Sequence, residues 1–100
     1  MSTLVQRPTE KNAVFFCCDI QETFRSVMPK IEHMTAASRF MLQASKVLDI
    51  PVVVTEQKPF KPTLEELQST YQDDIGGRVH FSVKTQFSMI TDEVTAFLDT

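Results

Sequence analysis

The 100 residues contain only two cysteines and two glycines and no excess of positive charge, and each shortage closes off a class of protein. The cysteines are neighbours, Cys17 and Cys18, inside an apolar run, so they cannot form the spaced disulfide framework of small secreted domains. The glycines are also neighbours, Gly76 and Gly77. They follow a polar stretch and lack the strand, loop and helix that surround a phosphate-binding lysine, so they read as a turn. A formal charge of −3 offers no basic footprint to a phosphate backbone, and nucleic acid is not an expected partner. No apolar run nears the roughly 18 residues of a membrane span, and Met1 to Lys11 lack the apolar centre of a signal peptide. The expectation is a soluble chain of a reducing, intracellular compartment, the cytoplasm by default with an organelle left open, and no membrane contact. His33 and His80 stand alone without ligand spacing, so neither a metal nor a cofactor is expected.

What is present is an ordinary globular mixture. Apolar residues make up 42% and charged residues 23%, which favours folding over disorder, and the length allows one core at most. After a polar lead over residues 1–12, residues 13–20 form an apolar run of strand length without polar alternation, as expected of a strand covered on both faces. Met34, Ala37, Met41, Ala44 and Leu48 recur at steps of three and four, with Phe40 and Val47 widening the stripe, and predict an amphipathic helix over 31–48 that buries this face. Residues 50–55 form a second apolar strand. Residues 56–62 are a loop, and 63–67 a first helical turn capped by Thr63. Residues 79–83 are a weaker strand. Thr91 is a candidate N-cap for a final helix that buries Val94, Phe97 and Leu98. Strand, helix and strand in alternation predict an α/β fold with a parallel sheet. Three strands are few for such a sheet, so the chain reads as part of a longer domain.

In doubly wound sheets ligands bind beyond the carboxyl ends of the strands. Asp19, Gln21 and Glu22 follow the first strand, Thr55, Glu56 and Gln57 close the second, and Lys84, Thr85, Gln86 and Ser88 leave the third. A carboxylate and an ammonium converging at one sheet edge could transfer a proton and tune each other's charge. An aspartate at a strand end can equally form a turn, and a loop lysine can simply be solvated.

Three stretches carry more than composition does. Val14-Phe-Phe-Cys-Cys-Asp-Ile-Gln-Glu-Thr-Phe24, Val52-Val-Val-Thr-Glu-Gln57 and Val83-Lys-Thr-Gln-Phe-Ser-Met89 resemble, in order, three landmarks of the isochorismatase-like cysteine hydrolases, with the isochorismatase domain-containing branch the most similar. The resemblance covers residues 13–98 and places the chain at the N-terminal part of such a domain. It implies a three-layer αβα, Rossmann-like fold whose mainly parallel sheet has about six strands when complete, the first three being present here. It also implies an Asp–Lys–Cys triad acting on a small carbonyl, amide or vinyl-ether substrate, and a homo-oligomer. Asp19 matches the aspartate and Lys84 the lysine. The nucleophilic cysteine would open a helix after a fourth strand, beyond Thr100, so the 100 residues alone are expected to be inactive. Gln21, Phe24 and Phe87 flank the pair as candidate walls of the substrate pocket. Cys17 and Cys18 lie within the first strand and are expected to be buried, unreactive core thiols. The alternative is a non-catalytic interaction or regulatory domain of the same fold.

Overall fold

The computed structural model describes residues 9, 11–74 and 76–99, so most of the polar lead lies outside the described residues. Three strands, β1 (Phe15–Cys18), β2 (Val52–Gln57) and β3 (Val79–Lys84), form one sheet in the order β1-β2-β3 with both pairings parallel. Phe15 lies opposite Val52, and Val52 opposite Val79, so the three strands start level. Parallel neighbours need crossovers. Here they are α1 (Ile31–Leu48) between β1 and β2, and α2 (Glu65–Gln68) between β2 and β3. A last helix, α3 (Asp92–Leu98), follows β3.

The pleat sends alternate side chains to opposite faces. Phe15, Cys17, Val52, Val54 and Val79 meet Ile31 and Leu42 of α1 and Leu64, Leu67 and Tyr71 around α2, which makes the principal core. On the opposite face α3 covers β3: Val94 is fully buried, and the Phe97 ring stacks on His80 with centroids 4.8 Å apart. The Thr91 hydroxyl accepts from the Val94 N–H at 3.2 Å, so the expected N-cap forms. The architecture is α/β in three layers.

Four expectations change. First, β1 is not covered on both faces, since Phe16 and Cys18 are exposed. Second, α1 is rotated from the phase that hydropathy suggested: it buries Ile31, Thr35, Leu42 and Ser45, while Ala37, Phe40, Met41, Val47 and Leu48 are exposed. The reason is polar packing. Ser45 donates to the Leu42 carbonyl and accepts from Arg78, whose guanidinium also bonds the Ile50 carbonyl and Asp74. Third, Thr63 does not cap α2: its hydroxyl donates to Glu56 and its carbonyl accepts from the Gln68 side chain. In α3, Leu98 is exposed rather than buried.

Candidate active site

The carboxyl ends of the three strands bring polar side chains together. Asp19 turns the chain out of β1 with φ at 55°, a left-handed conformation that few residues other than glycine, asparagine and aspartate adopt. Its N–H still donates to the Thr55 carbonyl at 3.1 Å, which holds the turn against β2. The carboxylate then bridges the other two strands: Oδ1 accepts from Thr55 Oγ1 at 2.8 Å, and Oδ2 from Lys84 Nζ at 2.8 Å. Thr55 is fully buried. Its pattern was legible as a threonine at the carboxyl end of β2, but its bond to Asp19 depends on the register that sets Thr55 opposite Cys18.

Lys84 is held more completely than its partner. Its side chain is 1% exposed against 17% for Asp19. Besides Asp19, its Nζ donates to the carbonyls of Gln86 at 3.1 Å and Phe87 at 3.0 Å. An ammonium has three N–H groups, and all three are used within the protein. Lys84 can therefore act on a ligand through its charge and through Asp19, without donating a bond of its own. The Asp19 carboxylate retains unused lone pairs and partial access to solvent, so the proton-accepting end of the pair is the aspartate.

The two cysteines differ. Cys17 points into the core, and its thiol is pushed up from 9.0 to about 11 by burial first, then by the neighbouring Cys18 and Asp19 charges. Cys18 is exposed on the other face, which corrects the expectation of two buried thiols. Partial burial, then the Asp19 charge, raise its pKa, while Lys84 pulls it down. Neither cysteine is held as a thiolate, the form a nucleophile needs.

The three residues considered as pocket walls differ in burial and partners. Gln21 is buried, and its side-chain amide donates to the carbonyls of Gln57 and Lys61 and accepts from the Gln57 N–H, at 3.1, 2.8 and 2.8 Å. It fastens the loop after β2 to the segment after β1. Phe24 lies against Phe60 with ring centroids 5.0 Å apart, and Phe87 is 89% exposed. Cavities of about 450 Å³ beside Tyr71 and Phe81, and of about 340 Å³ between β1 and α1, are lined by neither Asp19 nor Lys84. Among the described residues no group of three or more histidine, cysteine or acidic side chains could hold a metal ion.

No protein-family model matches the chain. Isochorismatase domain-containing protein 1 of Danio rerio is 40% identical over 87 residues, which take in 86% of this chain and 29% of the relative. Isochorismatase domain-containing protein 2 of Xenopus laevis is also 40% identical over 87 residues, or 85% of this chain and 39% of the relative. The solved MAR1 ribonuclease of Caenorhabditis elegans superposes with a TM-score of 0.84 at 29% identity, over 94% of this chain and 48% of that one. The chain thus spans less than half the length of the proteins it matches.

Proposed function

We propose, because this chain belongs to the isochorismatase-like family, that it supplies the acid–base aspartate and the charge-holding lysine of a hydrolase acting on a small carbonyl, amide or vinyl-ether substrate. The observation that supports this reading is the Asp19–Lys84 contact, made across the ends of two strands and braced by Thr55. Asp19 accepts the proton of a thiol, and the resulting thiolate attacks the substrate carbon. The Lys84 ammonium lies against the carboxylate at 2.8 Å and steadies the negative charge that passes between the carboxylate and the thiol. The thiol is supplied by a segment outside these 100 residues, because Cys17 is buried and the Cys18 pKa is raised. The reaction needs no metal or organic cofactor in this scheme, and the working enzyme is a cytoplasmic homo-oligomer.

The decisive test is Asp19→Asn in the protein that carries the thiol. The amide keeps the shape of the carboxylate and removes the base, so hydrolysis of small ester and amide substrates should fall by about 10²–10⁴-fold with the fold unchanged. Unaltered turnover would refute the assignment. A second reading has one observation in its favour: Lys84 spends two of its three N–H groups on backbone carbonyls, as a purely structural lysine would. On that reading the domain is a non-catalytic interaction module, and wild-type protein and Asp19→Asn alike would show no hydrolysis above background. A net charge of −3 and the enclosure of Lys84 leave no basic footprint for an RNA backbone, so the ribonuclease activity in the name of the solved relative does not carry over to this chain.

A further inference from the structure

The turn at Asp19 interrupts the β1–β2 ladder, and a side chain completes it. In a parallel pair, a residue that donates to its neighbour strand also accepts from the residue two positions further along that strand. Asp19 donates to the Thr55 carbonyl, so the Gln57 N–H is the next donor in line. At Asp19 the backbone is left-handed, with φ at 55°, and the Gln57 N–H goes instead to Gln21 Oε1 at 2.8 Å. Gln21 Nε2 returns a bond to the carbonyl of the same Gln57 at 3.1 Å and gives another to the Lys61 carbonyl at 2.8 Å. The side-chain amide thus does what a peptide group would do one rung beyond Asp19. Its place bears on Lys84. Gln57 lies opposite Lys84 in the β2–β3 register, and the Lys58 N–H donates to the Lys84 carbonyl at 2.9 Å. The chain leaving Asp19 is therefore tied, through the amide of a residue 1% exposed, to the residue that sits across from the lysine.

We propose that Gln21 is a positioning residue, which holds the left-handed turn of Asp19 level with Lys84 and so sets the reach between the carboxylate and the ammonium. A left-handed residue other than glycine persists only where its surroundings fix it. Before the turn, β1 and the Asp19 N–H provide that. After it, the Glu22 N–H bonds the Pro62 carbonyl and the Leu64 N–H bonds the Ile20 carbonyl, which hold the chain to the loop after β2. Gln21 adds the tie to β2 itself, whose last residue is Gln57. The chemistry of the side chain matters as much as its place. Glutamate would keep the acceptor for the Gln57 N–H and lose both donors, and asparagine is one methylene too short. Both N–H groups of the Gln21 amide are spent within the protein, so it acts on the site through Asp19 and offers a ligand no donor of its own. That this reach governs turnover rests on the hydrolase reading, whereas the geometric claim does not.

The test reads geometry and reaction separately, in the protein that carries the thiol. An ammonium whose N–H groups are all bonded inside the protein exchanges its protons slowly, so Lys84 Nζ should give a resolved nitrogen–proton NMR signal. Gln21→Met and Gln21→Glu should speed that exchange by about tenfold or more. They should also lower kcat by about 10–10²-fold while KM stays within about twofold. Thr23→Val is the control: it removes the hydroxyl that accepts from the Lys61 N–H at 2.7 Å, a clamp on the same loop that does not reach Gln57. It should leave the Lys84 signal and kcat as in the wild type. An unchanged Lys84 signal in folded Gln21→Glu would overturn the proposal. So would equal effects from Thr23→Val, because Gln21 would then anchor the loop alone, and so would a rise in KM at constant kcat, which would make it a pocket wall. If Gln21→Met does not fold, Gln21→Glu, which keeps the bond from the Gln57 N–H, decides the matter. A wild type without turnover would remove the hydrolase reading, with the exchange at Lys84 still deciding the geometry.

Discussion

The carboxyl edge of the sheet and the outer edge of β1 meet at Asp19, and they are finished to different degrees. At the carboxyl edge, Asp19, Thr55 and Lys84 hold one another, and every Lys84 N–H has a partner. Along the outer edge, no strand among the described residues pairs with β1, and Phe16 and Met41 are exposed. Charged groups must be satisfied as they are buried, because an ammonium or carboxylate without a partner costs several kcal/mol. Apolar surface can remain bare at a cost that scales with its area, and it is removed when something covers it. The chain can therefore hold its polar cluster fully paired while apolar side chains beside β1 stay exposed.

The largest expected effect breaks the finished side. Lys84→Met leaves a partly enclosed carboxylate without its counter-charge and the Gln86 and Phe87 carbonyls without a donor. Urea unfolding should show a loss of about 3 kcal/mol, toward the lower end for a broken buried pair because Asp19 retains some solvent. A loss below about 0.5 kcal/mol would make Lys84 an ordinary surface residue.

The next effect contrasts the two faces of β1. Because the Cys17 thiol is raised from 9.0 to about 11 in the folded chain, the unfolded chain gives up its proton first. The stability contributed is complete below pH 9 and is lost as pH climbs through 11, up to about 2–3 kcal/mol at 1.36 per unit. Tyr71, pushed up to about 12 mainly by burial, adds to the same limb at higher pH. Urea titrations between pH 8 and 11 should show this decline, and Cys17→Ala should flatten it. Iodoacetamide should modify Cys18 in the native chain before it reaches Cys17. Equal rates would erase the difference between the faces. The smallest effect concerns α3, the helix over the Phe16 face: Thr91→Ala removes the bond to Val94 N–H and should cost about 1 kcal/mol in the same unfolding assay.

How much of this was legible in sequence differs between fold and site. The βαβαβα order was readable because the first two strands begin as apolar runs, the third alternates apolar and polar residues, and α1 has a clear helical period. The phase of α1 was not, because hydropathy favours Phe40 and Met41 over Thr35 and Ser45, and only the Arg78 network explains why a serine is buried at that point. Asp19 and Lys84 were reached through motif resemblance, and position at strand ends gave the edge but not the contact. Gln21 was legible as a polar residue near the site, whereas its part as a loop clamp depends on backbone partners about 40 residues away, which no local pattern encodes.

The most direct test of the central claim, that Asp19 and Lys84 form one enclosed unit, is a double-mutant cycle on unfolding free energy with Asp19→Asn, Lys84→Met and the pair. A contact of this burial should give a coupling of about 2 kcal/mol, with the double variant less destabilised than the sum of the two singles. Additivity within about 0.5 kcal/mol would contradict it.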